Sequence, residues 1–173
     1  LAGLHRCDAG RIDRGGLAVA LVTTTVAQGM ATFTVFGLPV LVPFIVQDLG
    51  VPARLIGWQV ALVYVFAALS SIWASNALHL AGPARTTQAA LLVGAGACAG
   101  LGSGIIPLMA LGSALLGCAY GMTNPAASVV LGRLAPPHRR NMVFAAKQMG
   151  VPVFAAGAGL ILPALSTAIG WRG

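Results

Sequence analysis

The chain has 173 residues, of which 58% are hydrophobic and only 8% charged, with a formal net charge of +7 and a mean hydropathy of +0.90. Soluble domains carry about 25% charged residues, so a water-soluble globule is excluded, and so is disorder, which needs polarity. The basic balance would raise nucleic acid as a partner in a soluble protein, but 10 Lys and Arg spread over such an apolar chain are too sparse for that, and no nucleic acid is expected. A lipid bilayer is the environment left.

Organisation follows from the stretches without Asp, Glu, Lys or Arg: Gly15 to Gln47, Leu55 to Ala84, Thr86 to Gly132 and Gln148 to Trp171. A helix needs about 20 apolar residues to cross a hydrocarbon core of roughly 30 Å. The third stretch is long enough for two crossings and divides at Gly102-Ser103-Gly104 and Pro107, a turn signal inside an apolar run. Five spans are therefore expected, near Leu17 to Val46, Leu55 to Leu78, Thr87 to Leu101, Pro107 to Leu134 and Asn141 to Leu162. Alternation is absent, so the state is helix, which satisfies its own backbone groups in lipid. The fold class expected is an all-α polytopic transmembrane bundle, residues 1–16 forming a cytoplasmic N-terminal segment and 17–173 the bundle. Pro39 and Pro43 mark where the first run should bend or leave the membrane.

With the N-terminus in the cytoplasm, Arg6, Arg11, Arg14, Arg85, Arg133, Arg139, Arg140 and Lys147 fall on the cytoplasmic side, and only Arg54 and Arg172 fall outside. The excess of Arg over a single Lys, with abundant Ala and Gly, points to a GC-rich bacterial source and hence to the inner membrane. Leu1 in place of Met, and a chain stopping at Trp171-Arg172-Gly173, lead us to expect a piece of a longer reading frame. Gly96, Gly100 and Gly104 on the third span, and Gly117 and Gly121 on the fourth, recur every four residues and form strips for close helix approach.

Enzymatic constellations are missing. The acids are Asp8, Asp13 and Asp48, none of them inside a span, so paired-carboxylate catalysis is excluded, and Ser and Thr find no base to activate them. Cys7, Cys98 and Cys118 form no CxxC pair, and His5, Cys7 and Asp8 have no recognised metal spacing. Neither a metal nor a cofactor is expected.

Polar residues inside spans cost free energy unless they face protein or water. Thr24, Gln28 and Thr32 share one face of the first span, and Tyr120, Thr123 and Asn124 share one face of the fourth, where Pro125 frees a carbonyl. Two such stripes imply a shared aqueous cavity, with Gln28 and Asn124 lining it and the threonines packing; Gln59 and Tyr64 are weaker cases. Lys147, followed by Gln148, lies about two turns past Arg139-Arg140. Near a helix end it would snorkel to the interface; set deeper, it would point into the cavity as the partner of a substrate carboxylate.

Leu49-Gly50, Ile56-Gly57-Trp58 and Tyr64 resemble the first external loop and second span of major facilitator superfamily transporters. Between the second and third spans that family carries G-x-x-x-D-R-x-G-R-R. Ser75, His79, Leu80, Gly82 and Arg85 stand at the corresponding places, with Gly82 and Arg85 matching. Asn124-Pro125, the basic loop Pro136 to Asn141, Lys147 to Pro152 and Gly170-Trp171-Arg172 continue the resemblance. It implies the N-terminal half of a twelve-helix secondary transporter, truncated before its sixth helix and partnered by the C-terminal half. The solute would be a small polar molecule or organic anion moved by alternating access. On that reading Thr24, Gln28, Thr32, Tyr120, Asn124, Lys147 and Gln148 contact the solute, and Gly82 and Arg85 shape a cytoplasmic gate. The family's arginine early in the fourth helix is replaced by Gly112, Ser113 and Gly117, and its loop acid by His79, which speaks against proton antiport by the usual residues. Efflux of hydrophobic compounds and a non-transporting membrane scaffold are the rival readings.

Overall fold

The computed structural model describes residues 14–171. The His5, Cys7 and Asp8 grouping, most of the expected 1–16 segment, and Arg172 lie outside the described residues. Among those described there are helices and no strand: α1 (Arg14–Leu49), α2 (Ala53–Gly102), α3 (Ile106–Leu134), a 3-10 turn (Pro137–Arg139) and α4 (Arg140–Ile169). Each long helix is apolar enough to cross a membrane. Their outer faces keep large apolar side chains exposed, among them Ile72, Trp73, Leu92 and Leu160, a surface suited to lipid.

Four long apolar helical elements stand against the five spans expected, because the second and third expected spans are joined across a non-helical Gly82 into one 50-residue element. Straight, it would extend about 75 Å, more than twice a hydrocarbon core. It is not straight: Gly82 has φ 77° and ψ 162°, outside the helical region, and helix resumes at Pro83. Only glycine takes that backbone without strain, and proline loses nothing at a helix start, where its missing N–H would be unpaired anyway. Thr86 Oγ1 donates to the Gly82 carbonyl at 2.8 Å and holds the new start.

Contacts with α3 show that the two arms run in opposite directions. In the first arm Val63 lies against Gly117 and Ala67 against Gly121, both numbers rising together; in the second, Gly94 faces Ala119 while Gly100 faces Leu108 and Gly112, one rising as the other falls. The glycines permit this closeness, since a Cβ on Gly112 would stand 2.9 Å from the Ala97 carbonyl oxygen. Gly96 departs from its expected role, with nothing near it, and Gly104 lies past the end of α2 in the turn to α3. That turn is closed by Ser103, whose hydroxyl donates to the Gly100 carbonyl at 2.7 Å and accepts from the Ile105 N–H at 3.2 Å.

α1 runs unbroken through Pro39 and Pro43 to Leu49, and α4 continues past the expected end at Leu162, through Pro163, to Ile169. α1 and α4 are parallel and in constant register. Thr25 meets Gly150, Gly29 meets Phe154 and Gly37 meets Leu162, pairs separated by the same interval along the chain.

Three apolar clusters stack along the bundle. Leu17 and Leu21 join Leu131, Ala135 and Val143 at one end; Val35, Leu38, Val63, Ala97 and Leu116 fill the middle; Ile45, Ile56 and Met109 join Leu101 and Trp171 at the other. The first end carries Arg133, Arg139 and Arg140 and, beyond the Gly82 reversal, Arg85. The opposite end carries Arg54 and Asp48, whose Oδ2 accepts from Trp171 Nε1 at 3.0 Å.

Candidate functional site

A buried polar cluster forms where α1, α3 and α4 meet. Lys147 on α4 is 2% exposed, and its Nζ donates to Asn124 Oδ1 on α3 at 2.5 Å. Asn124 itself lies at an open face of the bundle. The expected snorkelling of Lys147 is overturned. Asn124 is ten residues inside the end of α3, about 15 Å by helical rise, whereas Lys147 is seven residues inside the start of α4, about 10 Å. The ammonium therefore reaches inward. A lysine at membrane depth costs about 2.5–3.5 kcal/mol on insertion scales, and here it is held by a neutral amide and by no carboxylate among the described residues.

Pro125 lacks an N–H, so the Gly121 carbonyl one turn earlier loses its helical donor. Ser71 on α2 reaches it, its single hydroxyl proton shared between Gly121 O at 3.1 Å and the Ala67 carbonyl of its own helix at 2.8 Å. The carbonyl freed by the Asn124-Pro125 pair is thus taken up by a neighbouring helix, which fixes the backbone beside Asn124.

On α1, Thr32 is fully buried and its hydroxyl donates to the Gln28 carbonyl at 2.9 Å. Tyr120 of α3 is half-buried and packs against the middle apolar cluster. Gln28 is 3% exposed, and its Oε1 has no hydrogen-bond partner. Such an oxygen costs about 1–3 kcal/mol unless a water or a bound molecule donates to it. Thr25, whose methyl group faces Gly150 on α4, has its Oγ1 in the same condition.

The remaining expected residues separate from this cluster. Thr24 is half-buried and turns its hydroxyl to the Ala20 carbonyl of its own helix at 2.7 Å; buried Thr123 does the same toward Tyr120 O at 2.8 Å. Gln148 is exposed, about 100° round α4 from Lys147. Gly82 and exposed Arg85 lie at the basic end of the bundle. Thr25 was missed by the sequence reading, since the small residue opposite it is set by helix register. Gln59 on α2 is buried with an unpartnered Oε1 like Gln28.

An apolar cavity of about 270 Å³ lies toward the Trp171 end, lined by Phe33, Leu38, Leu41, Ile45, Met109 and Trp171. At 100° per residue, its α1 lining falls on the side of that helix away from Gln28 and Thr32.

The family model described as Major Facilitator Superfamily matches residues 24–173. No curated protein and no solved structure gives a significant match to the chain.

Proposed function

The chain belongs to the major facilitator superfamily, a family of membrane transporters, and from that premise we propose that it is the N-terminal part of a secondary active transporter. Its solute is a small polar molecule or organic anion, moved by alternating access between two bundles, the second being the C-terminal half of the same protein. The two arms of α2 cross the bilayer separately, giving five crossings. The end bearing Arg85, Arg133, Arg139 and Arg140 faces the cytoplasm of a bacterium across its inner membrane.

The observation that carries this reading is the buried Lys147 held by Asn124, with a second buried polar group, the unpartnered Gln28 oxygen, on α1. A scaffold has no need of a buried cation held by a neutral amide at an open face, whereas a carrier does. An incoming carboxylate offers Lys147 a charge-assisted bond stronger than the one from Asn124, and the amide so released can donate to the solute. Gln28 accepts from a solute hydroxyl or amine. Thr32 and Tyr120 complete the wall, without Thr24 and Gln148, and Gly82 with Arg85 forms the cytoplasmic gate, where a non-helical glycine lets the arms shift.

The test is uptake of a panel of radiolabelled monocarboxylates and neutral polyols by vesicles holding the full-length protein. Lys147→Met should abolish carboxylate uptake, and Gln28→Ala and Asn124→Ala should each raise KM by about tenfold, the loss of one hydrogen bond to a charged or buried group. Unchanged kinetics in both alanine variants would remove these residues from the site. The apolar cavity favours a second reading, efflux of hydrophobic compounds. It requires transport of an apolar dye to fall on Leu41→Asp and to survive Lys147→Met.

A further inference from the structure

Among the described residues Lys147 is the only charged side chain that is buried, and no counter-charge faces it. α1, against which α4 packs, has no ionisable side chain between Arg14 and Asp48, and Asp48, the only carboxylate described, stands at the Trp171 end of the bundle. α3 contributes Cys118 and Tyr120 within its length and exposed Arg133 near its end; α4 itself adds only exposed Arg140. What holds Nζ is the neutral Asn124 amide oxygen. An amide oxygen accepts from an amine as well as from an ammonium, so the bond keeps Nζ in place whether or not it carries the extra proton.

A buried ion is stable when paired; otherwise it neutralises by giving up or taking on a proton. Asn124 is exposed at an open face of the bundle, so water reaches the pair from one side. Alternating access closes the two bundles over the site, and closure strips that water away. With a carboxylate bound, the closed site holds a cation and an anion and is neutral. With the site empty, the ammonium has no partner, and only loss of its proton makes it neutral. A desolvated lysine can lose its proton, whereas an arginine keeps its charge.

We propose that Lys147 carries the coupling proton of the transporter, taking up one proton together with one solute carboxylate on one side of the membrane and releasing both on the other. On the first side the neutral amine binds a proton from water and becomes the ammonium that pairs with the carboxylate. On the second side the carboxylate leaves, the ammonium returns its proton to water, and the amine, still bonded to Asn124, crosses back empty. One anion and one proton move per cycle, with no net charge. The inference rests on Lys147 binding the solute carboxylate, and it adds the identity of the coupling ion.

The full-length protein is reconstituted in vesicles that hold the pH dye pyranine and no solute, and is offered radiolabelled glycerate, gluconate or glucuronate, hydroxylated acids that cross lipid slowly. Net uptake should bring in one proton per anion, read from the dye. Its rate should be the same with the interior clamped by valinomycin at zero or at negative potential. Exchange is measured in parallel with the same acid inside. Lys147→Arg keeps the charge and cannot release the proton, so it should lower the ratio of net uptake to exchange by about tenfold or more, whatever it does to affinity. The proton count and the potential clamp use the unaltered protein and need no variant to fold. Three results overturn the inference and leave the anion carrier standing: exchange without net uptake in the unaltered protein, uptake slowed by a negative interior with no proton entering, or an unchanged ratio in Lys147→Arg. If none of the three acids moves, or Lys147→Met leaves their movement unchanged, the solute site falls and this inference with it.

Discussion

At Gly117 a Cβ would run into the Val63 carbonyl and the Phe66 side chain, because α2 and α3 pack backbone to backbone there. Gly157, in mid-helix on α4, has nothing within 4 Å of the same position. Gly117→Ala should therefore destabilise the protein by about 1–3 kcal/mol, the usual cost of overpacking. Gly157→Ala should be neutral or stabilising by up to about 1 kcal/mol through helix propensity. Thermal unfolding in detergent separates the two. The close approach at Gly117 and Gly121 was legible in their four-residue spacing, but that spacing cannot say which strips meet a partner: Gly96 belongs to such a repeat and touches nothing. Lys147 makes the same point. Its distance from Arg139-Arg140 placed it near the interface, while its direction depends on Asn124, which is far away in sequence and near only after folding. Removing Asn124 alone strands a buried ammonium, so Asn124→Leu should cost about 3 kcal/mol or more. The pair Lys147→Met with Asn124→Leu should cost less than the sum of the single changes, by about 1–3 kcal/mol of coupling. A double-mutant cycle on unfolding measures it, and strict additivity would show that the pair does not interact.

At the scale of the element, the helices were legible because charge-free runs leave few alternatives in lipid. The turn at Ser103 was legible because Gly and Ser cluster there. The break at Gly82 was legible as a boundary between Leu78 and Thr87, but it is shorter than expected, with Gly82 alone outside the helical region. One positive-φ glycine followed by proline turns the chain without ending the helical pattern, and nothing in the composition separates that from a short loop. The overrun of α4 has a similar cause: Pro163 reads as a stop in soluble helices, yet membrane helices tolerate proline when neighbours re-satisfy its carbonyl. Ala at position 82 would be held near φ 77°, costing about 1–2 kcal/mol, so Gly82→Ala should lower the unfolding temperature or shift the arms apart. A topological test is sharper. In a background with Cys7, Cys98 and Cys118 replaced by alanine, single cysteines at His79 and Arg85 should react with an impermeant thiol reagent from one side of the membrane. Cysteines at Pro52 and Ser103 should react from the other. Labelling of His79 and Ser103 from the same side would mean that the second arm does not cross.

For the whole molecule, the question is whether the polar faces of α1, α3 and α4 enclose water or only one another. Thr24, Thr32 and Thr123 turn their hydroxyls to carbonyls of their own helices and ask for no solvent. Gln28 and Asn124 behave differently, the first with an oxygen left unpartnered and the second holding Lys147 at an open face. If a water-filled pathway runs through the assembled protein, cysteines at 28 and 124 should be labelled by a water-soluble thiol reagent in the full-length transporter, and a cysteine at 123 should not. Solute at saturating concentration should then slow the reaction at 124 by several-fold, because a carboxylate on Lys147 lies between the reagent and the thiol. A scaffold predicts no reaction at any of the three positions and no protection. Labelling at 28 and 124 that no solute alters would leave the water pathway standing while removing Lys147 from solute binding, since a bound anion at that distance must exclude a reagent from the neighbouring position.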